Sequence, residues 1–174
     1  MIPAPTMSRT ANASSRSLAL SSVWQIILGR EDALESVRGE MRGKSLVGFK
    51  LGNDQACKII KVGITSKALE TAGDLLGLTK SQFAQYLDLD RGTITRLAAK
   101  DQLLPTHAAE SVLRLLELDA MAADTFESEN EATAWLTRPH TMLDGETPLF
   151  AAKTSFGAQR VKDILLAIKY GGVV

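Results

Sequence analysis

Apolar positions recur at helical spacing along most of the chain. Leu34, Val37 and Met41 fall on one face of a predicted helix over 31–42, with Glu31 and Asp32 in its first turn, where the helix dipole favours negative charge. After Gly63 the pattern sharpens. Ser66 is placed to cap a helix carrying Leu69, Ala72, Leu75 and Leu76, and Gly77 follows as a residue type suited to a left-handed C-terminal cap. Thr79 or Ser81 is placed to start the next helix, and Thr106, after Pro105, a long one with Val112, Leu115, Leu116 and Met121 buried along one side. The acidic stretch from Asp124 to Glu131 reads as a boundary. Beyond it Ala132, Trp135 and Leu136 predict a short helix stopped before Pro139, and Asp144–Pro148 predicts a compact turn. The last helix spans about Ala158 to Lys169, with Val161, Ile164, Leu165 and Ile168 at i, i+3, i+4 and i+7, and Gly171 and Gly172 end it. Only Gly43 to Gly52 reads as turn or short strand. The fold class is mainly α.

The most specific local signal lies at Lys80–Ala99, which reads as a helix-turn-helix. Phe83, Leu87 and Leu89 face inward from the first helix and turn, and Ala84 supplies the small residue needed where two helices approach closely. On the second helix Ile94 and Leu97 close the core, leaving Arg91, Thr93, Thr95 and Arg96 outward as candidate contacts to base edges in a DNA major groove. Lys80 and Lys100 are better placed for phosphate. Asp88 occupies the turn position that glycine usually fills, so a left-handed residue is expected there. The wider stretch 64–117 is slightly acidic, and affinity falls steeply as fewer phosphates are neutralised, so tight binding calls for dimerisation or help from elsewhere in the chain.

Composition narrows the function classes. The formal net charge is zero, yet it is +4 over residues 1–63, −1 over 64–117 and −3 over 118–174, so the two ends face different partners. The first 30 residues hold Arg9, Arg16 and Arg30 but no acid, and Ser, Thr, Ala and Pro crowd positions 3–22, a composition superficially like a transit peptide. A flexible tail is expected over 1–22. The apolar run Leu18–Leu28 is broken by Ser21, Ser22 and Gln25 and is too short for a bilayer, so no membrane segment is expected. Cys57 stands alone, which excludes an intrachain disulfide and fits a reducing cytoplasm. No catalytic set can be assembled: His107 and His140 are isolated, and the glycines at 48–52 lack the spacing that wraps phosphate. Neither metal nor cofactor is expected. Trp24 and Trp135 read as core or interface anchors.

The order of these pieces resembles the Xre-type antitoxins that pair with RES-domain toxins. The matching residues are Leu78–Ala84 entering the helix pair, Arg91–Arg96 in its second helix, and Glu110–Leu115 beyond Pro105. In the last third, Ala134-Trp135-Leu136, Pro139, Leu143–Leu149, Gly157–Val161 and Ile168–Gly171 are similar to the family's toxin-binding domain. The resemblance covers residues 60–174. It implies an Xre-like helix-turn-helix domain followed by a small helical toxin-binding domain, a cognate toxin that consumes NAD and is neutralised by direct binding, operator DNA as second partner, and self-association as a homodimer.

The implied partition is a tail at 1–22, an N-terminal helical region at 23–62 suited to dimerisation, a helix-turn-helix domain at 63–122 and a toxin-binding domain at 123–174. On the last helix Arg160, Lys162, Asp163 and Lys169 form the polar side, and Tyr170, Gly171, Gly172, Val173 and Val174 form a narrow tail able to plug the toxin's nucleotide pocket. Trp135, Leu149 and Phe150 are expected in the supporting core or rim. The alternative is a stand-alone regulator whose C-terminal module binds another partner.

Overall fold

The computed structural model describes residues 8–29, 31–42 and 51–172. Among them the fold is helical: α1 (Ser8–Leu28), α2 (Glu35–Met41), α3 (Asn53–Val62), α4 (Ala68–Leu76), α5 (Lys80–Tyr86), α6 (Arg91–Ala99), α7 (Thr106–Phe126), α8 (Glu129–Thr137), α9 (Pro148–Ala151) and α10 (Ser155–Tyr170). No strand occurs among the described residues, and a single bridge pairs Thr65 with Leu103. Most of the expected turn or strand at 43–52 lies outside the described residues, and its last residues, Leu51 and Gly52, lead into α3.

The 21-residue α7 is the central element, with α3, α4, α8 and α10 packed against it. Small and branched residues alternate along its buried sides, from Ala108, Val112 and Leu115 to Leu118 and Ala122. These let neighbouring helices approach from several directions. One hydrophobic cluster runs from Leu20 in α1 to Leu165 in α10.

Residues 8–22 depart from the expected flexible tail, because α1 begins at Ser8. Its apolar side chains Leu20, Val23, Trp24, Ile27 and Leu28 are buried, against α4 and the rest of the core. Each contributes on the order of 1.5–3 kcal/mol by leaving water, which anchors the C-terminal part of α1 to the core. Arg16 continues the attachment upstream: one guanidinium nitrogen donates to the Leu75 carbonyl at 2.8 Å, and another pairs with Asp119 on α7.

Ser66 also departs from expectation. Its hydroxyl does not cap α4; it is buried and donates to the Leu97 carbonyl at 2.9 Å, tying the entry of α4 to the end of α6. The other punctuation behaves as its chemistry requires. Gly77 ends α4 in the left-handed region at φ +65°. Thr79 accepts from the Gln82 amide while Gln82 accepts from the Thr79 amide, a reciprocal cap on α5. The last helix starts three residues earlier than its apolar stripe, at Ser155, because Thr154 caps it through the Gly157 amide at 3.0 Å.

Candidate functional site

Two surfaces carry the candidate chemistry, and they share one corner of the fold. The first is the helix pair α5–α6. Phe83, Ala84, Tyr86 and Leu87 are buried beneath it, and Leu97 closes it from α6. Asp88 adopts φ +52° in the turn, as expected of a residue standing in for glycine. Asp90 caps α6 by accepting from the Thr93 amide at 2.8 Å, and the hydrogen bonds from Thr93 hold its carboxyl below the usual carboxylate range.

Arg91, Thr95 and Arg96 are exposed along α6 and Lys100 is exposed at its C-terminal cap, so with Thr93 the structure brings five of the six candidate DNA contacts onto this helix and its end. Lys80 is exposed at the start of α5, 3.4 Å from Glu70. The Thr93 hydroxyl is half withdrawn and donates to Asp90 at 2.6 Å. Arg91 is steadied by donating to the Ser81 hydroxyl at 2.7 Å, which orients it along the mouth of the helix pair. The other acids at the two ends of the pair are engaged: Asp88 in the turn pairs with Lys153 at 2.5 Å, and Asp101 beyond α6 pairs with Lys67 at 2.6 Å. Their charge is thus partly offset where a phosphate would approach.

The second surface is α10 with the connector before it. The Tyr86 hydroxyl, buried, donates to the Ala152 carbonyl at 2.8 Å, and burial pushes its pKa up to about 12. Arg114 of α7 donates to the Lys153 carbonyl at 3.0 Å, and the Tyr86 ring meets Phe150 edge-on at 6.4 Å. The connector Ala152–Lys153 is therefore held simultaneously by the helix pair and by α7. Gly157 tightens the corner further, since a Cβ there would lie 1.8 Å from the Ala151 carbonyl oxygen.

The expected toxin-contact residues divide into two groups. Arg160, Asp163, Tyr170, Gly171 and Gly172 are exposed, with Arg160 pairing with Asp144 at 3.0 Å and Asp163 accepting from Gln159 at 2.8 Å. Lys162 and Lys169 instead brace α10 against α7: Lys162 pairs with Glu117 at 2.8 Å and Lys169 with Asp124 at 2.6 Å. Asp124 raises the pKa of Lys169 accordingly. Val173 and Val174 lie outside the described residues.

Phe156 was not anticipated. It is 91% exposed in the first turn of α10. The signal was present in the helical wheel, because at 100° per residue it lies about 140° from Val161, outside the buried stripe. Trp135, Leu149 and Phe150 take the supporting positions expected of them. Leu149 is buried, and Trp135 lines a shallow groove with Phe126, Arg138 and Pro139. The imidazole of His140 accepts from the Met142 amide at 3.3 Å and its ring meets Trp135, which gives it a structural task. Among the described residues no group of His, Cys, Asp and Glu is disposed to hold a metal, and no helix is long and apolar enough to cross a membrane.

Two family models match these surfaces: the antitoxin Xre-like helix-turn-helix domain at residues 54–117, and the antitoxin Xre/MbcA/ParS C-terminal toxin-binding domain at residues 121–171. Together they give the chain an antitoxin Xre-like helix-turn-helix domain followed by an antitoxin toxin-binding domain. It is 29% identical over 79 residues to an antitoxin Xre of Pseudomonas putida, covering 45% of this chain and 50% of that one. It is 27% identical over 122 residues to a Prs ADP-ribosylating antitoxin of a Sphingobium species, covering 65% and 77%. The chain thus spans about half the length of the first relative and about three quarters of the second. In this chain α3–α6 and the first part of α7 make the matched helix-turn-helix domain, and the end of α7 with α8–α10 makes the matched toxin-binding domain.

Proposed function

We propose that this antitoxin neutralises a cognate RES-domain toxin that degrades NAD, by direct binding that blocks the toxin's active site, and that it represses its own operon through α5–α6. The observation that carries the reading is the joining of a toxin-binding domain to a helix-turn-helix in one chain. It acts as a binding protein without catalysis of its own, in the cytoplasm, as a homodimer within a larger toxin–antitoxin complex. Two copies of α6 supply the cations that one copy lacks for tight DNA binding.

On the DNA side Arg91, Thr95 and Arg96 read base edges, Thr93 supports them, and Lys80 and Lys100 meet phosphate. On the toxin side the segment from Tyr170 to Val174 enters the nucleotide pocket beside Arg160 and Asp163, while Lys162 and Lys169 hold the helix that carries it. Co-expression with the cognate RES-domain toxin tests the first arm: growth and cellular NAD are restored by the full chain, and continued NAD loss overturns the reading. For the second arm, Arg91→Ala with Arg96→Ala is expected to weaken operator binding by about 1–3 kcal/mol for each arginine, and unchanged affinity removes the DNA assignment.

A further inference from the structure

Nine residues of α10 are exposed, and six of them group on one side: Phe156, Gln159, Arg160, Asp163, Leu166 and Tyr170. At 100° per residue they share one face about 120° wide. Its ends are apolar, with Phe156 91% and Tyr170 72% exposed, and its middle is polar, with Asp163 held by Gln159. Fourteen residues of helix place the two aromatic rings roughly 20 Å apart along the axis.

The mount of Phe156 is rigid although its ring is in water. Thr154 caps the turn that carries it, the Cα of Gly157 packs against Ala151 with no room for a side chain, and the preceding connector is held by Tyr86 and Arg114. A large aromatic on an already ordered backbone loses little freedom when a partner covers it, which is the character of an interface anchor. The face lies wholly within the matched toxin-binding domain, and Gly171 and Gly172 leave the helix at its Tyr170 end. A partner that receives the segment beyond Tyr170 is therefore brought against this face.

We infer that the exposed face of α10, anchored by Phe156, is the surface on which the cognate toxin docks. The toxin offers an apolar recess to the Phe156 ring, about 20 Å from the contact at Tyr170, and a cation or hydrogen-bond donor opposite Asp163. This rests on the antitoxin reading and adds to it an anchor remote from the active-site plug.

The test uses the full chain and the cognate RES-domain toxin, inactivated in its active site, with affinity measured by titration calorimetry. Phe156→Glu removes the anchor without touching the core, so its circular dichroism and melting temperature should match those of the unaltered chain. Affinity is expected to fall at least about thirty-fold, whereas Phe156→Tyr stays within a few-fold. Leu18→Glu, at an exposed apolar position on α1, controls for added charge and should change nothing. Undiminished binding by Phe156→Glu, equal weakening by Leu18→Glu, or loss of self-association alone overturns the inference. Failure of the unaltered chain to bind the toxin defeats the antitoxin reading before any substitution is made.

Discussion

Replacing Arg16 with Met removes the cation that faces Asp119, a carboxylate only 5% exposed on α7. Burial, with Glu129 nearby, pushes the Asp119 pKa up to about 6 from 3.8, against the opposing pull of Arg16. A carboxyl that binds its proton more tightly folded than unfolded lowers stability as pH rises through the interval between the two values, here from about 4 to about 6. That interval amounts to about 3 kcal/mol in the unaltered protein. Without Arg16 the folded pKa moves higher still and the interval extends upward. At pH 8 the buried charge then stands unpaired, and a further loss of about 3 kcal/mol is expected, a fall in Tm of roughly 6–12 °C for a chain of this size. At pH 5 the carboxyl is protonated and the loss should shrink to about 1 kcal/mol, the worth of the missing hydrogen bond to the Leu75 carbonyl. Urea unfolding of both proteins between pH 5 and pH 8.5 measures the difference. A penalty equal at the two ends, or below about 1 kcal/mol at pH 8, refutes the account of α1 as a helix tied down by a buried ion pair.

Two further substitutions probe the shared corner. Tyr86→Phe leaves the Ala152 carbonyl without its donor and should cost about 1–2 kcal/mol in urea unfolding while leaving the helix content unchanged. Gly157→Ala sets a Cβ against the Ala151 carbonyl, so α9 and α10 must separate; a loss above about 3 kcal/mol is expected, together with weaker toxin capture in pull-down.

The helix pair was legible because its rules are local. Thr79 and Gln82 cap each other three residues apart, Gly77 takes the left-handed turn, and Asp88 does so where glycine is absent. The order of α7, α8 and α10 followed from apolar periodicity for the same reason. What escaped depends on distant partners. Residues 8–22 carry a tail-like composition, and what orders them includes a contact between residues 103 apart, Arg16 and Asp119. Ser66 has the right residue type for a cap, but a buried hydroxyl takes the acceptor that the fold offers, which is Leu97. Lys162 and Lys169 look like free surface cations in one dimension, and only the packing of α10 on α7 shows them to be braces. Phe156 lies on the outside of the wheel, where an aromatic is uncommon, and its exposure follows from the packing of α10 on α7.

The two matched domains meet inside α7, since one match ends at 117, the other begins at 121, and the helix runs unbroken from Thr106 to Phe126. Its Leu118 and Ala122 are buried as fully as its Val112 and Leu115, and Tyr86 and Asp88 of the helix pair hold the connector that begins α10. Melting either module strips apolar surface from a helix the other needs, so the halves should unfold together. Trp135 in α8, tilted against Phe126 at 5.8 Å, lies in the toxin-binding half, and Trp24 lies in α1, which packs on the helix-turn-helix half through α4. Single-tryptophan variants, Trp24→Phe and Trp135→Phe, report the two regions separately, with far-ultraviolet circular dichroism as the common probe. Within each variant, fluorescence and dichroism midpoints in urea are expected to agree within about 0.2 M, a free-energy difference of only a few tenths of a kcal/mol at ordinary m-values. Midpoints separated by about 1 M would mean that α7 breaks near Leu118 and that the toxin-binding half stands on its own.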